Sequence, residues 1–308
     1  MGGVQTGHAR IAATLWKHRY LYLLILPGIA FYLLFDYAPL YGVTLAFKKF
    51  MYNKGISGSP WVGLANFQYI LKDSGFWNAF RNTIIISFGK LVIGFPAPII
   101  LALLLNELRR EVVKRTFQSI LYLPHFFSWV IVAGLVFNLL SSTSGAISRL
   151  IVQLGGEPLR VLGNPAAFRP LVYATAVWKG AGWGTIIYLA AIAGINPELY
   201  ESAYIDGAGR WQRMRFITLP SLAYAVFILL ILDIGYLMEA GFDQIFNLYN
   251  PPTYPVGDII DTYVYRIGVV MARYDRSTAI GLFKSVINCA LLLSTNRVVK
   301  ALGYEGLF

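Results

Sequence analysis

Six long apolar stretches constrain the fold of this chain more than any other feature of its sequence. They occupy residues 20–46, 83–105, 119–140, 170–194, 221–240 and 277–298. A helix that crosses a bilayer needs about 20 mostly apolar residues, and each stretch is long enough. Charged residues make up only 13% of the chain, whereas a soluble domain usually carries about 25%. The sequence therefore predicts an all-α, polytopic membrane protein with six transmembrane helices.

Three of the predicted spans contain residues that are unfavourable in a helix surrounded by lipid. They are Pro96 and Pro98 in the second span, Gly180, Gly182 and Gly184 in the fourth, and Asp233 and Glu239 in the fifth. Irregular or polar positions at membrane depth are tolerated where they face protein or a water-filled cavity. We therefore expect these three spans to line the interior of a pore-forming bundle.

The basic residues indicate an orientation, because short cytoplasmic loops carry an excess of Lys and Arg. The two most basic short connections lie at 109–115 and 210–215, and Lys17 and Arg19 precede the first span. This pattern predicts that both termini are cytoplasmic. It also explains the net charge of +11 without a nucleic-acid partner. The loops on the other side are longer and suit the docking of a partner protein.

The sequence contains no nucleotide site and no metal site. A phosphate-binding loop requires GxxxxGK[ST], but at Gly89-Lys90 the first glycine is replaced by Ile84 and the next residue is Leu91. The single cysteine, Cys289, excludes a disulfide framework. No carboxylate or cysteine stands at metal-ligand spacing from the three histidines, His8, His18 and His125. We expect no cofactor on this chain and no enzyme chemistry.

The connection at 196–220, NPELYESAYIDGAGRWQRMRFITLP, carries most of the specific information in the chain. Asn196 is a good helix cap, and Pro197 fits the first helical position. Gly207 can adopt the left-handed conformation that ends a helix. The pattern predicts a short helix from Pro197, a turn at Gly207 and a second short helix over 210–216. We call this connection the DGA loop.

The DGA loop resembles the cytoplasmic signature of binding-protein-dependent ABC importer permeases, EAAxxDGAxxxxxFxxIxLP. The matching residues are Glu201, Ser202, Ala203, Asp206, Gly207, Ala208, Ile217, Leu219 and Pro220, the last of which opens the predicted fifth span. Ser202 replaces the alanine that follows the glutamate of the signature, and Met214 replaces its phenylalanine. The resemblance implies that this loop is the coupling element that inserts into a groove on a separate ATPase subunit.

Two interpretations of the acidic residues in this loop stay open. Glu201 and Asp206 can pair with basic groups on a partner, with Gly207 permitting close approach. Alternatively, they pair with Arg210 or Arg213 in the same loop, and exposed pairs of that kind contribute little to stability.

The resemblance extends along the chain. Residues 26–47, 117–137 and 242–252 are similar to permeases of the maltose-type class, particularly the branch that imports polysaccharides such as alginate. This resemblance implies the six-helix type I importer fold for a single transmembrane domain, 1–308. It implies a bacterial cytoplasmic membrane location and an oligosaccharide cargo that moves by alternating access. The net basic charge favours an acidic sugar only weakly, because the same charges serve membrane topology.

The resemblance also implies the partners of the chain. They are a second homologous permease subunit, two ATPase subunits that hold ATP and Mg, an extracytoplasmic solute-binding protein and the lipid bilayer. The alternative is an ATP-independent secondary transporter or channel, which would predict inverted repeats or matched broken helices. No convincing internal repeat is present.

Five polar residues inside the predicted fifth and sixth spans are candidates for a substrate path: Asp233, Tyr236, Glu239, Lys284 and Asn288. The first three step by three and share one helical face, and the last two are i, i+4 neighbours. In one interpretation these groups bond sugar hydroxyls or stack on sugar rings. In the other, Asp233 pairs with Lys284 or Lys179 inside the bundle, and Glu239 reaches water at the interface.

Overall fold

The computed structural model describes residues 16–301, which leaves His8 and both chain ends outside the described part. Four of its helices are long and apolar enough to cross a membrane: Arg19–Phe47, Ser74–Asn106, Pro165–Ala193 and Tyr274–Ala301. Two bent pairs complete a set of six when each pair is one span: Glu111–Phe126 with Trp129–Leu140, and Arg210–Ser221 with Ala223–Gly235. We number these the first to sixth spans. The predicted all-α architecture is confirmed.

Pro96 and Pro98 interrupt the second span less than expected. Helix Ser74–Gly94 has Phe95 as its C-cap, and helix Pro96–Asn106 starts at the next residue. Proline is tolerated in the first turn of a helix, where its missing N–H has no intrahelical acceptor. The Phe95 amide still donates to the Leu91 carbonyl at 3.1 Å. The span therefore runs on as one 33-residue helix.

The glycines of the fourth span allow close packing and do not break the helix. A Cβ on Gly182 would overlap the backbone of Leu121 in the third span, and a Cβ on Gly184 would lie 2.9 Å from Pro98 in the second. Any larger side chain would therefore push the neighbouring spans away. Gly180 instead has open space beside it and lines a cavity.

The third and fifth spans are bent. The third turns by 102° between Phe126 and Trp129, where the Ser128 hydroxyl caps the new helix by accepting from the Ile131 amide at 3.3 Å. The fifth turns by 54° at Leu222. Such sharp bends place irregular backbone at membrane depth, which is tolerated only where protein or a cavity surrounds it.

The fifth span ends five residues earlier than the apolar pattern predicts. Helix Ala223–Gly235 stops at Gly235, which packs so closely against Leu292 of the sixth span that a Cβ would collide with it. A turn follows, and the Asn288 side chain accepts from the Met238 amide at 3.2 Å. The sixth span thus supplies the hydrogen bond that the ended helix no longer provides.

Three buried apolar clusters hold the spans together. One joins the second, third and fourth spans to residues 236–273, which we call the 5–6 loop. A second joins the end of the first span to the second and sixth spans and to the same loop. The third lies where the second, fourth and fifth spans approach the DGA loop, and its buried members are Ala102, Tyr188, Ile192 and Leu222. The core therefore consists of interlocked span contacts at both ends of the bundle.

The first span stands apart from this core. None of its most apolar 18-residue window is buried, and Leu23, Leu24 and Leu34 are each more than 60% exposed. Its buried residues, Leu45 and Ala46, lie at its far end. An apolar helix surface of this extent needs lipid or another protein to cover it.

Candidate functional site

The first half of the DGA loop folds as its sequence predicts. The Asn196 side chain accepts from the Glu198 amide at 3.1 Å and caps helix Pro197–Ile205, which we call the DGA helix. Pro197 occupies its first position. The acidic Glu198 lies in the first turn, where the helix dipole favours a negative charge.

Gly207 ends the DGA helix in the left-handed conformation, with φ of +78°. The Ala208 amide donates to the Ala203 carbonyl at 2.8 Å, and the Gly207 amide donates to the Tyr204 carbonyl at 3.1 Å. This pair of bonds is the Schellman motif, in which glycine is preferred because it has no Cβ to clash. Open space surrounds Gly207, so its role is set by backbone geometry and not by packing.

The second half of the DGA loop differs from the prediction. Instead of a separate helix over 210–216, one continuous helical run extends from Arg210 through a π-helical turn to Ser221. Pro220 consequently lies inside that run and does not open the next helix, which starts at Ala223. The Tyr200 hydroxyl and the Thr218 hydroxyl lie 2.9 Å apart and tie the DGA helix to this run.

The outer surface of the DGA loop is apolar and acidic, and the chain leaves it uncovered. Glu201 and Asp206 are exposed, and among residues 16–301 neither forms an ion pair with an arginine. This geometry does not support the alternative in which the two carboxylates pair within the loop. Exposed apolar side chains surround them: Ile205 at 83%, Tyr204 at 71%, Trp211 at 68% and Phe216 at 68%.

The predicted path residues of the fifth span share a cavity, although not through the predicted geometry. Because the helix ends at Gly235, Tyr236 and Glu239 lie in the following turn, and the expected single helical face is wrong. Tyr236 and Glu239 nevertheless line, together with Asp233, a cavity of about 410 Å³ between the second, fourth and fifth spans. Lys90 of the second span lines the same cavity.

Lys284 and Asn288 lie outside this cavity. The Lys284 ammonium forms an ion pair with Asp261 of the 5–6 loop at 2.6 Å, and Asn288 accepts from the Met238 amide. Lys179 instead donates to the His125 carbonyl at 2.6 Å. The predicted pairing of Asp233 with Lys284 or Lys179 is therefore wrong, because both lysines are already engaged elsewhere.

Sequence inspection assigned no path role to Lys90 or Lys179, yet both line one smaller cavity of about 240 Å³ beside the first. Lys90 donates to the Ala240 carbonyl at 2.6 Å, and the Lys179 ammonium lies 5.6 Å from the Trp129 ring centre. No acidic side chain lines this cavity. The position of these lysines within apolar spans could have predicted that they face the bundle interior, because a lysine that faces lipid is costly.

Several polar side chains of the 5–6 loop bond within the loop or to neighbouring segments, although the buried Oε1 of Gln244 has no partner among the described residues. The Arg266 guanidinium pairs with Asp258, and these hydrogen bonds raise the pKa of Arg266 above its ordinary value. The Asn82 amide group donates to the Asp258 carbonyl at 3.1 Å. The Tyr263 hydroxyl donates to Asp73, and burial together with this bond raises the pKa of that phenol.

Within residues 16–301, no three His, Cys, Asp or Glu side chains lie close enough together to hold a metal ion.

Comparison with known proteins gives relatives over nearly the full chain. A polygalacturonan/rhamnogalacturonan transport system permease of Bacillus subtilis, YteP, is 44% identical over 97% of this chain and 93% of its own length. The LplB protein of the same organism is 43% identical over 96% of this chain and 93% of its own length.

Solved structures show the same fold. The crystal structure of a bacterial ABC transporter involved in the import of the acidic polysaccharide alginate matches with a TM-score of 0.88 and 40% identity, over 95% of this chain and 99% of the other. The alginate transporter in complex with an alginate pentasaccharide-bound periplasmic protein matches with a TM-score of 0.88 and 38% identity, over 97% of this chain and 100% of the other.

The family model described as binding-protein-dependent transport system inner membrane component matches residues 94–302, which include the DGA loop and the cavity-lining parts of the fourth and fifth spans. The type I importer fold implied by the sequence resemblance is therefore confirmed. This chain belongs to the binding-protein-dependent transport system inner membrane component family and is a sugar ABC importer permease.

Proposed function

We propose that this permease carries an acidic oligosaccharide across a bacterial cytoplasmic membrane by alternating access, driven by ATPase subunits that dock on the DGA loop. A second permease subunit completes the pore. An extracytoplasmic binding protein delivers the cargo, and both termini of this chain are cytoplasmic. ATP and Mg belong to the ATPase subunits.

The DGA loop supports the coupling part of the proposal. Its acidic side chains, including Glu201 and Asp206, have no ion-pair partner in the described chain, and Ile205 beside them is 83% exposed. Apolar groups surrounded by charges are typical of a protein interface. The bonds from the DGA helix to the next span, such as Tyr200 to Thr218, provide a rigid connection along which a movement of the ATPase reaches the membrane.

The basic residues at the same end of the bundle support the proposed orientation. Arg109, Lys114 and Arg210 line one cavity there, which places the most basic short loops on one side. Under the positive-inside rule that side is cytoplasmic. The orientation and the position of the ATPase subunits therefore agree.

The proposal of an acidic cargo rests on the two lysines that line the smaller cavity. Lys90 and Lys179 line it, and neither forms an ion pair with a described acidic residue. Their backbone acceptors leave each ammonium two further protons to donate. A carboxylate-bearing sugar supplies the missing negative charge, and the relatives named for polygalacturonan and alginate handle polymers of that chemistry.

The cavity of about 410 Å³ supports the sugar part of the proposal. Asp233 and Glu239 offer acceptors for sugar hydroxyls, and Tyr236 offers an aromatic face. Lys90 borders both cavities, so one oligosaccharide can contact the acidic groups of the first and the lysines of the second. Lys284 and Asn288, which are committed to the 5–6 loop and the Met238 turn, support the bundle and do not touch cargo.

The test is uptake by the complete importer in proteoliposomes, measured for an oligogalacturonate and for a neutral oligosaccharide of equal length. Replacing Lys179→Gln removes one charge-assisted hydrogen bond, worth about 1.5–3 kcal/mol, so we expect acidic uptake to fall about tenfold or more. Neutral uptake should change little. Lys54→Gln, which removes an exposed lysine from the loop after the first span, is the matched control.

Two results would overturn parts of this proposal separately. Equal loss of acidic and neutral uptake would show that Lys179 supports the bundle and not the cargo. Uptake that persists in liposomes lacking the ATPase subunits would favour an ATP-independent transporter or channel.

A further inference from the structure

A third cavity, of about 450 Å³, lies at the DGA-loop end of the bundle, apart from the proposed path. Its walls come from three places: the connection between the second and third spans, the last turn of the fourth span, and the inner side of the DGA loop. Those three segments meet where the membrane spans end. The cavity is therefore at the level of the lipid headgroups.

The cavity is strongly basic. Four cations line it, namely Arg109, Lys114, Arg210 and Arg213, against a single acid, Glu107. Among residues 16–301 none of these four cations forms an ion pair. Like charges brought together without a counter-charge repel one another. The cavity therefore has the charge of an anion site.

One donor in the cavity wall lacks an acceptor among residues 16–301. The Nε atom of Arg213 is buried and has no hydrogen-bond partner among the described residues. A buried donor left without an acceptor is destabilising. The guanidinium of Arg213 lies 5.8 Å from the Tyr204 ring centre, a contact that orients its plane but does not satisfy Nε. An acceptor from outside the chain would satisfy it.

The remaining wall is apolar. It is formed by Leu189, Ile192, Ala193, Ile195 and Met214. Leu189 and Ile192 belong to the last turns of the fourth span, where they pack in the buried cluster that joins the second, fourth and fifth spans, so the apolar wall of the cavity is the end of a membrane helix. A site with cations on one side and a membrane-helix end on the other fits an amphiphile with an anionic head.

We propose that this cavity binds the phosphate group of an anionic phospholipid, such as phosphatidylglycerol, with Arg109, Lys114, Arg210 and Arg213 as its cationic lining. Arginine forms paired hydrogen bonds to phosphate oxygens, and basic pockets between span ends on the cytoplasmic side suit lipid headgroups. The bound headgroup joins the 2–3 connection to the DGA loop. Lipid then stabilises the base of the element on which the ATPase docks.

Binding is measured on the purified complete importer in detergent by following its thermal unfolding while lipid is added. Phosphatidylglycerol should raise the apparent melting temperature by about 4 °C at saturation, and phosphatidylcholine should raise it by much less. A third titration uses inorganic phosphate. A shift with phosphate and none with the lipid would identify free phosphate as the occupant and overturn the lipid.

Variants locate the site. Arg213→Gln should remove more than half of the phosphatidylglycerol shift, whereas Arg215→Gln should keep it, because Arg215 lies in the same segment, is exposed and does not line the cavity. If Arg213→Gln fails to fold, Lys114→Gln serves in its place, since no described side-chain bond is lost. Equal shifts for the two lipids, or a full shift in the cavity variant, would overturn the proposal. Such a result is expected if an acidic side chain of the ATPase, and not a lipid, occupies the cavity.

Discussion

The DGA loop and the 5–6 loop are both connections between membrane spans, but their polar groups are satisfied in different ways. In the 5–6 loop, Arg266 pairs with Asp258, and Tyr263 donates to Asp73. In the DGA loop, Glu201 and Asp206 have no ion-pair partner in the described chain, and apolar side chains such as Ile205 are exposed.

This difference indicates which loop is incomplete in the isolated chain. A connection that satisfies its own buried polar groups gains order from the chain itself. A connection that keeps rigid backbone geometry but exposes apolar side chains is preorganised for a partner. Changes in the DGA loop should therefore affect coupling with little effect on stability, and changes in the 5–6 loop should do the reverse.

The largest expected effect comes from Gly207→Val. A β-branched residue is a strong outlier at the φ of +78° found here, so the end of the DGA helix must rearrange. A penalty of about 1–2 kcal/mol on the docked geometry lowers uptake and ATPase stimulation about tenfold. The melting temperature of the permease should change little, because this exposed helix end can rearrange without disturbing the buried clusters.

Gly209→Val is the matched control for this change. Gly209 has φ of −68°, which any residue adopts, and its nearest neighbour to a new Cβ is a side-chain oxygen at 3.6 Å. Near-normal uptake in both variants would show that the glycine turn has no part in coupling.

The next largest effect is on stability. Arg266→Met leaves Asp258, whose side chain is 7% exposed, without its partner. Removing one member of a buried pair costs about 3 kcal/mol or more, reduced here because Arg266 retains 28% exposure. We expect a lower apparent melting temperature of the purified importer, measured by thermal unfolding. Arg273→Met, an exposed change seven residues on, should leave the melting temperature unchanged. Equal melting temperatures for the two variants would show that the pair of Arg266 and Asp258 does not stabilise the 5–6 loop.

The smallest effect is a difference in alkaline stability. The pKa of Tyr263 is higher in the folded chain than the ordinary value of 10.0, so the folded state keeps a proton that the unfolded state loses. The stabilising contribution of the neutral phenol is complete below about pH 10 and is lost as the pH rises further. Tyr263→Phe should therefore show a shallower loss of stability above pH 10 than the wild type. Parallel curves would mean that the bond to Asp73 has no role at high pH.

The sequence predicted the fold and the first half of the DGA loop well. The apolar stretches located all six spans, and the Asn196 cap and the Gly207 turn follow local rules that depend on few neighbours. The spacing of Asp233, Tyr236 and Glu239 wrongly predicted one shared helical face. The apolar pattern does not show that the helix ends at Gly235, which packs against Leu292.

The polar pairs could not be predicted for a related reason. Lys284 is 23 residues from its partner Asp261, and Lys179 is 54 residues from the carbonyl of His125. Such contacts depend on how bent spans meet, and helical spacing contains no information about that. The cavity shared by Lys90 and Lys179 emerges only when the second and fourth spans are packed together.

Thiol labelling tests most directly whether the DGA loop is a cytoplasmic surface that an ATPase covers. The chain has one cysteine, Cys289, so Ser202→Cys in a Cys289→Ser background places a single thiol on the exposed DGA helix. A membrane-impermeant maleimide should label it in inside-out vesicles without ATPase, and bound ATPase should protect it. Labelling from the outer face, or labelling that the ATPase does not reduce, would contradict docking of the ATPase on a cytoplasmic DGA loop.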